Sequence, residues 1–312
     1  MITGSKRMRG RPSSRSKVFG VPSFIKRFHW LDWLILAVLA GVMSFVAWRI
    51  GGALNYQWRW GLIPDYIVRY REDRGEWFAN LLLQGLVATL RISLYASLLA
   101  LVFGTGLGLA RVSQNLTIRL LARTYLELLR NIPPVVIMFI FFFFLSQQLI
   151  DALDLNAWSR GIARGIEQGE NSAVWTVLFG DMRRFPSLIS GVLVLAMFEA
   201  AFVGEIIRAG IQSIPNGQRE AARAIGMSGF QEMRYIILPQ ALRKVVPPMA
   251  NQFISLIKDS SIISLISVQE LTYKTVELVA STRLIFEAWI TTAAFYFILC
   301  FGLSMLFRRF EK

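Results

Sequence analysis

Histidine and cysteine are almost missing: the 312 residues hold one of each, His29 and Cys300. A lone cysteine excludes an intrachain disulfide framework, and the two residues together exclude a zinc site of the usual His and Cys ligands. A Ser-His-Asp hydrolase likewise has almost no material to work with. Charge is scarce too, at 17% of residues against about 25% in soluble domains, while 54% are hydrophobic. With a mean hydropathy of +0.49, lipid is the expected solvent. The net charge of +14 is then not a nucleic-acid footprint, because basic residues also orient membrane helices.

A helix needs roughly 20 mostly apolar residues to cross the hydrocarbon core. Six such runs stand between charged or Pro/Gly boundaries: about Leu31 to Trp48, Leu81 to Ala110, Pro133 through Phe144, Ser187 to Ile207, Val245 to Val268 and Leu284 to Phe307. Asp151 to Phe185 reads as a sizeable loop. Placing the N-terminus in the cytoplasm puts eight Lys and Arg in the tail, four in 111–130, six in 208–244 and three at the C-terminus, or 21 of 34. The opposite loops carry ten, largely balanced by acids, so both termini are expected inside. The first run could be a cleaved signal, but Trp30, Trp33 and Trp48 suit interfacial anchoring and predict an uncleaved helix. Lys6, Arg7, Arg9, Arg11, Arg15 and Lys17 before it form an orienting flank, with anionic lipid as the alternative ligand.

The segment between the fourth and fifth runs carries the most information. Pro215-Asn216-Gly217 form a turn, Glu220 to Ile225 favours helix, Gly226 can supply a left-handed cap, and Pro239 punctuates the next segment. The pattern predicts a short helix, a tight turn and a second short helix beside the membrane. Glu220-Ala221-Ala222, then Gly226, then Ile236 and Leu238-Pro239 match position for position the signature loop of bacterial ABC importer permeases. Glu205 to Ile211, Gly217-Gln218, Leu238 to Arg243, Pro247, Asn251 and Lys258-Asp259-Ser260-Ser261 resemble the polar amino-acid branch of that family, the histidine-, glutamine- and glutamate/aspartate-type importers. Thr89-Leu90, Ser93, and Glu127 to Arg130 followed by Asn131-Ile132-Pro133-Pro134 also fit. The likeness covers roughly Gly85 to Phe307 and leaves out the first helix and its loop.

The resemblance implies an all-α integral membrane permease in the bacterial cytoplasmic (inner) membrane, with one extra N-terminal helix before a five-helix core. It divides the chain into a basic tail (1–30), an extra helix with an extracytoplasmic loop (31–80) and a permease domain (81–312) whose coupling loop is 209–244. It also implies two ATPase subunits, an extracytoplasmic solute-binding protein and a second permease copy or paralogue. Residues Gly217, Glu220, Ala221, Ala222, Gly226, Ile236, Leu238 and Pro239 would then serve ATPase coupling. The chain lacks a G-x-x-x-x-G-K-[ST] loop. It is not expected to be an enzyme, and ATP and Mg belong to the partner.

Ionisable groups in spans mark candidate paths. Glu205 and Arg208, three apart, suggest a structural ion pair, whereas Glu199 has no intrahelical partner and suits either the path or a dimer contact. Asn251, Ser255 and Lys258 form a polar stripe continued by Asp259 and Ser260, serving either substrate contact or gate packing. Arg91 is expected to snorkel outward, with substrate contact as the alternative. Gly104 and Gly108 suggest close intrachain helix packing rather than a dimer seam. The Phe141 to Phe144 run suits lipid or core. Arg119, Arg123, Glu127 and Arg130, opposite Leu121, Tyr125 and Leu128, predict an amphipathic interfacial helix. Phe198-Glu199-Ala200-Ala201 resembles acidic-amino-acid members, so glutamate/aspartate or glutamine is the expected cargo. The rival readings are an ion-gradient-driven secondary amino-acid transporter using Glu199, Lys258 and Asp259, and an intramembrane enzyme pairing Ser255 or Ser260 with Lys258.

Overall fold

A computed structural model describes residues 30–53, 56–72, 75–167 and 172–310. The basic tail with its six named cations and His29 lies outside the described residues. The described residues fall into two units, one ending at Trp58 and the other beginning at Arg59. In the first, helix α1 (Trp30–Ala53) is 24 residues long, with apolar residues all round its axis. At 1.5 Å per residue it measures about 36 Å, enough to cross a bilayer core.

The second unit begins with a 3-10 turn (Trp60–Leu62) and the short helix α2 (Ile63–Ile67). Strands β1 (Val68–Arg71) and β2 (Glu76–Ala79) then form an antiparallel hairpin in the register Val68 to Ala79. Residues 59–80, assigned from the sequence to the extra helix's segment, pack with this second unit. The Arg59 backbone N–H donates to Glu287 Oε1 at 2.7 Å, and Tyr66 and Ile67 pack with Leu82 and Leu271.

Helix α3 (Leu81–Arg111) leads to α4 (Leu116–Asn131), which Asn115 caps by accepting from the Ile118 N–H at 3.2 Å. One rod, Pro134–Ala152, joins α5 (Pro134–Phe141) to α6 (Gln147–Ala152) through a π-helical turn, Phe142–Ser146. Helices α7 (Leu155–Glu167), α8 (Ser172–Phe179) and α9 (Phe185–Gln212) come after it. Next are α10 (Asn216–Ala224), the single turn α11 (Gly229–Gln231), a π-helical turn (Glu232–Ile237) and α12 (Leu238–Asp259). A 3-10 segment (Ser260–Ile266), α13 (Leu271–Thr282) and α14 (Ile285–Phe310) complete it.

Among the described residues, four segments are long and apolar enough to cross a membrane: Leu81–Arg111, Pro134–Ala152, Met182–Gln212 and Ile285–Arg309. Helix α12 is diluted by Pro247, Pro248 and polar residues, and α1 holds a shorter apolar stretch, Trp30–Val46. Helix α9 is the axis of the body, with 72% of its most apolar window buried against 6% for α14. Helix α3 runs beside it in the same direction. A Cβ on Gly104 would clash with Val203, and one on Gly108 would lie 2.6 Å from Ile207, so the glycine spacing serves packing within the chain.

The structure changes the sequence reading in two places and gives α4 an inner face. Asp151–Phe185 is not a loop, because α7 and α8 close over an aromatic cluster: Trp158 meets Trp175 at 6.0 Å and Phe185 at 5.2 Å. Aromatic burial, not helix propensity, organises it. In α4 the buried positions are Ala122, Leu126 and Leu129, whereas Leu121 and Leu128 are exposed. Helix α4 follows Ala122, Leu126 and Leu129 onto α9, and Tyr125 supports that side by donating to the Met197 carbonyl at 2.7 Å. The second arm of the loop is not a separate short helix. It runs through the π turn into α12, so the fifth helix starts at Leu238 rather than near Val245 and ends at Asp259.

Candidate coupling loop and transport path

The loop is built by its turn residues. Pro215 leads into α10, and α10 ends in a Schellman arrangement in which the Met227 N–H reaches the Ala222 carbonyl at 3.1 Å and the Gly226 N–H the Arg223 carbonyl at 3.0 Å. Gly226 sits at φ +80°, which L side chains rarely adopt, although a Cβ there would meet nothing within 4 Å. Ser228 and Gln231 then form a capping box that starts the second arm.

What holds the two arms together was not legible from the motif. Glu232, 5% exposed at its side chain, accepts from Arg219 Nη1 at 3.1 Å and Arg223 Nε at 3.0 Å. Gln240 donates to Gln218 at 3.3 Å. Of the motif residues, Ala222 is buried, Ile236 and Leu238 are half-buried, and Gly217, Glu220, Ala221, Gly226 and Pro239 are exposed. Ile225 (74% exposed), Phe230 (71%) and Tyr235 (60%) add an apolar surface to the same loop. Such a patch beside exposed small residues is suited to docking another protein.

Above the loop, Glu205 is the centre of a cationic cluster. Arg208 Nε donates to it at 2.9 Å, and Arg111 and Arg130 approach at 3.8 and 3.9 Å. These pairs tie α3, α4 and α9 at one end. The Arg208 partnership follows from the i,i+3 spacing, whereas the other two come from tertiary packing and have no local signal.

Midway along the body, Glu199 of α9 is fully buried and accepts from Gln252 Nε2 of α12 at 2.6 Å. Its other oxygen has no hydrogen-bond donor, and the Asp259 carboxyl lies beside it. Gln252 was missed in the sequence because a neutral amide in a span carries little signal. The structure therefore divides the candidate path residues. Glu199 and Asp259 meet at the α9–α12 contact, while Asn251 and Lys258 are exposed on another face of α12 with half-buried Ser255 beside them. Ser260 is buried and donates to the Ile257 carbonyl at 2.7 Å. Among the described residues there is no group of three or more His, Cys, Asp and Glu arranged to hold a metal.

Farther out, Glu270 caps α13 by accepting from the Tyr273 N–H at 2.8 Å, and it also accepts from Tyr296 at 2.8 Å and Thr89 at 3.3 Å. This buried acid joins α3, α13 and α14. Arg91 donates to the Thr176 and Val177 carbonyls at 3.4 and 3.1 Å, so it fastens the end of α8.

Residues 98–312 match the family described as binding-protein-dependent transport system inner membrane component. The chain is 32% identical to the probable glutamine ABC transporter permease protein GlnM of Bacillus subtilis (strain 168), over 75% of this chain and 93% of that protein. It is 36% identical to the glutamate/aspartate import permease protein GltK of Escherichia coli O6:H1, over 61% of this chain and 73% of that one. Among solved structures, an amino acid ABC transporter crystallised with histidines aligns at a TM-score of 0.58 and 31% identity, covering 74% of this chain and 92% of that one. With the helical body and the family match together, this chain belongs to the inner-membrane components of binding-protein-dependent transport systems, and its relatives are ABC permeases.

Proposed function

We propose that this chain is the permease subunit of an ATP-driven importer that carries a polar amino acid into the cytoplasm, with glutamate/aspartate or glutamine as the favoured cargo. It crosses the membrane six times with both termini inside. It works with a second permease copy or paralogue, two ATPases that hold ATP and Mg, and an extracytoplasmic solute-binding protein.

The observation that carries this reading is the loop: a helix stopped by Gly226, anchored to the body through Glu232, and presenting Glu220, Ala221, Ile225 and Phe230 outward. A rigid, exposed element tied to α12 can pass a push from an ATPase groove to the helix that carries Gln252 and Asp259. Rows of polar side chains on α12, open in a single subunit, suit a path completed by a second permease. The Glu199–Gln252–Asp259 contact would then set how α12 moves against α9.

The test is uptake of radiolabelled glutamate, aspartate and glutamine into proteoliposomes holding the permease, its ATPase and its binding protein, with ATP hydrolysis followed in parallel. Gly226→Arg, inserted and folded, should abolish ATP-coupled uptake and ATPase association. Uptake that needs no ATP, follows an ion gradient and ignores the substitution would overturn the reading in favour of a secondary transporter.

A further inference from the structure

At the end of the body away from the coupling loop, α3, α8, α13 and the turn before α9 enclose a cavity of about 380 Å³. That volume falls in the range of small-molecule sites. Arg91, Lys274, Gln269, Asp181 and Arg184 supply its polar groups, and Ile92, Phe179 and Leu188 supply apolar wall. None of the candidate path residues on α9 and α12 contributes to it.

The polar groups are only partly used by the fold. Lys274 is 5% exposed and gives one bond, to Glu277 Oε2 at 2.7 Å, so two of its three ammonium N–H groups remain. Arg91 spends Nη2 on the α8 carbonyls. Its Nη1 lies against Gly180, where a Cβ would come within 2.5 Å, and Gly180 itself is at φ +77°. Gln269 Oε1 is buried and has no hydrogen-bond partner. Arg184 pairs with Asp181 at 3.4 Å. Of the three cations here, Arg184 is paired with Asp181 and Lys274 with Glu277 just outside the lining, so the unbalanced charge is that of Arg91, with the spare Lys274 N–H groups and a buried acceptor that lacks a donor beside it. A buried acceptor left bare is costly, and clustered cations attract an anion.

A free amino acid answers both demands, since its carboxylate and ammonium sit on one carbon. We infer that this cavity is an outer binding site for the zwitterionic head of a free amino acid, with the carboxylate on Lys274 Nζ and Arg91 Nη1 and the ammonium on Gln269 Oε1. The inference rests on the importer reading and adds a first holding point on the permease, before the α9–α12 contact. Ile92 and Leu188 face the rest of the ligand, so the site reads the head and tolerates different side chains.

The experiment uses the assembled transporter in phosphatidylcholine nanodiscs, without binding protein, and measures binding of tritiated glutamine and glutamate. Wild type should bind both, and should bind N-acetylglutamine and glutamine amide about tenfold more weakly, the usual loss when a hydrogen bond to a charged group is removed. Gln269→Met should lose the discrimination against the N-acetyl form. Lys274→Met should lose the discrimination against the amide. In uptake with saturating binding protein, both variants should raise KM while Vmax changes less than about twofold. Gln269→Met adds no charge and leaves Lys274 and Glu277 paired, so it keeps the test open if Lys274→Met does not fold. ATP-driven uptake by wild type with binding that ignores both substitutions would overturn the outer site and leave the importer reading standing. Absence of any ATP-driven uptake would instead sink the importer reading. Displacement of the probe by phosphatidylethanolamine, with no amino-acid discrimination, would assign the cavity to a lipid headgroup and overturn the proposal.

Discussion

The candidate coupling loop and helices α7 and α8 solve the same problem, fixing a short helical excursion between long apolar helices, by different means. The loop is held by backbone caps at fixed spacings and by Glu232 between two arginines. The outer segment is held by aromatic packing and by α3 side chains, Arg91 and Tyr95, that donate to carbonyls at the end of α8. Caps and ion pairs allow a surface to stay open for a partner. Aromatic packing closes its surface on the body.

If the two ends are independent, damage to one should spare the other. The largest effect is expected from Glu232→Ala, which leaves Arg219 and Arg223 without their shared acid. Stranding a buried charge costs about 3–5 kcal/mol, but the arginines left here are 25% and 64% exposed and can rehydrate, so about 2 kcal/mol is expected. Coupled uptake should fall at least about tenfold. Limited proteolysis should open 216–237 and leave 155–167 and 172–184 protected. Cleavage at both ends would break the comparison.

Trp158→Ala should do the reverse, loosening 155–167 and 172–184 while the loop stays protected. Removing a core tryptophan costs about 3–5 kcal/mol. Trp158 is 44% exposed, so about 2 kcal/mol is expected, read as a lower melting temperature in detergent. Tyr95→Phe removes only the 2.8 Å bond to the Leu178 carbonyl and should cost about 1 kcal/mol by the same measurement. Lys244→Met sharpens the other side of the comparison. It removes a 2.9 Å bond to the Ser213 carbonyl at the end of α9, and about 0.5 kcal/mol or less should be lost.

The same contrast explains what the sequence could disclose. Helices α3, α9 and α14 were legible because lipid demands long apolar runs, and the end of α10 because Gly226 must take a positive φ. The Glu205–Arg208 pair follows from spacing on one helix. Glu232 could not be read as an anchor, since its partners lie 13 and 9 residues back across a turn. Gln252 and the contacts of Arg91 depend on which helices meet. Helix α7 was hidden by its composition, since Arg160, Arg164 and Glu167 resemble a solvated loop, and α8 by its length of eight residues, too short for a span; only the packing of Trp158 against Trp175 and Phe185 gives them an inner face.

Gly226 separates two demands that are usually confounded at a glycine turn, smallness and handedness. The place an L side chain's Cβ would take is empty, so what stands against an L residue there is the sign of its backbone angle. A mirror-image alanine introduced there by semisynthesis would satisfy that sign and restrict the unfolded chain as well. The folded permease should accept the D-residue and lose about 1–2 kcal/mol with its L-counterpart. An ATPase groove, by contrast, would meet an added methyl with either hand, from one side or the other, so the two enantiomers distinguish what the chain requires of itself from what its partner requires of it.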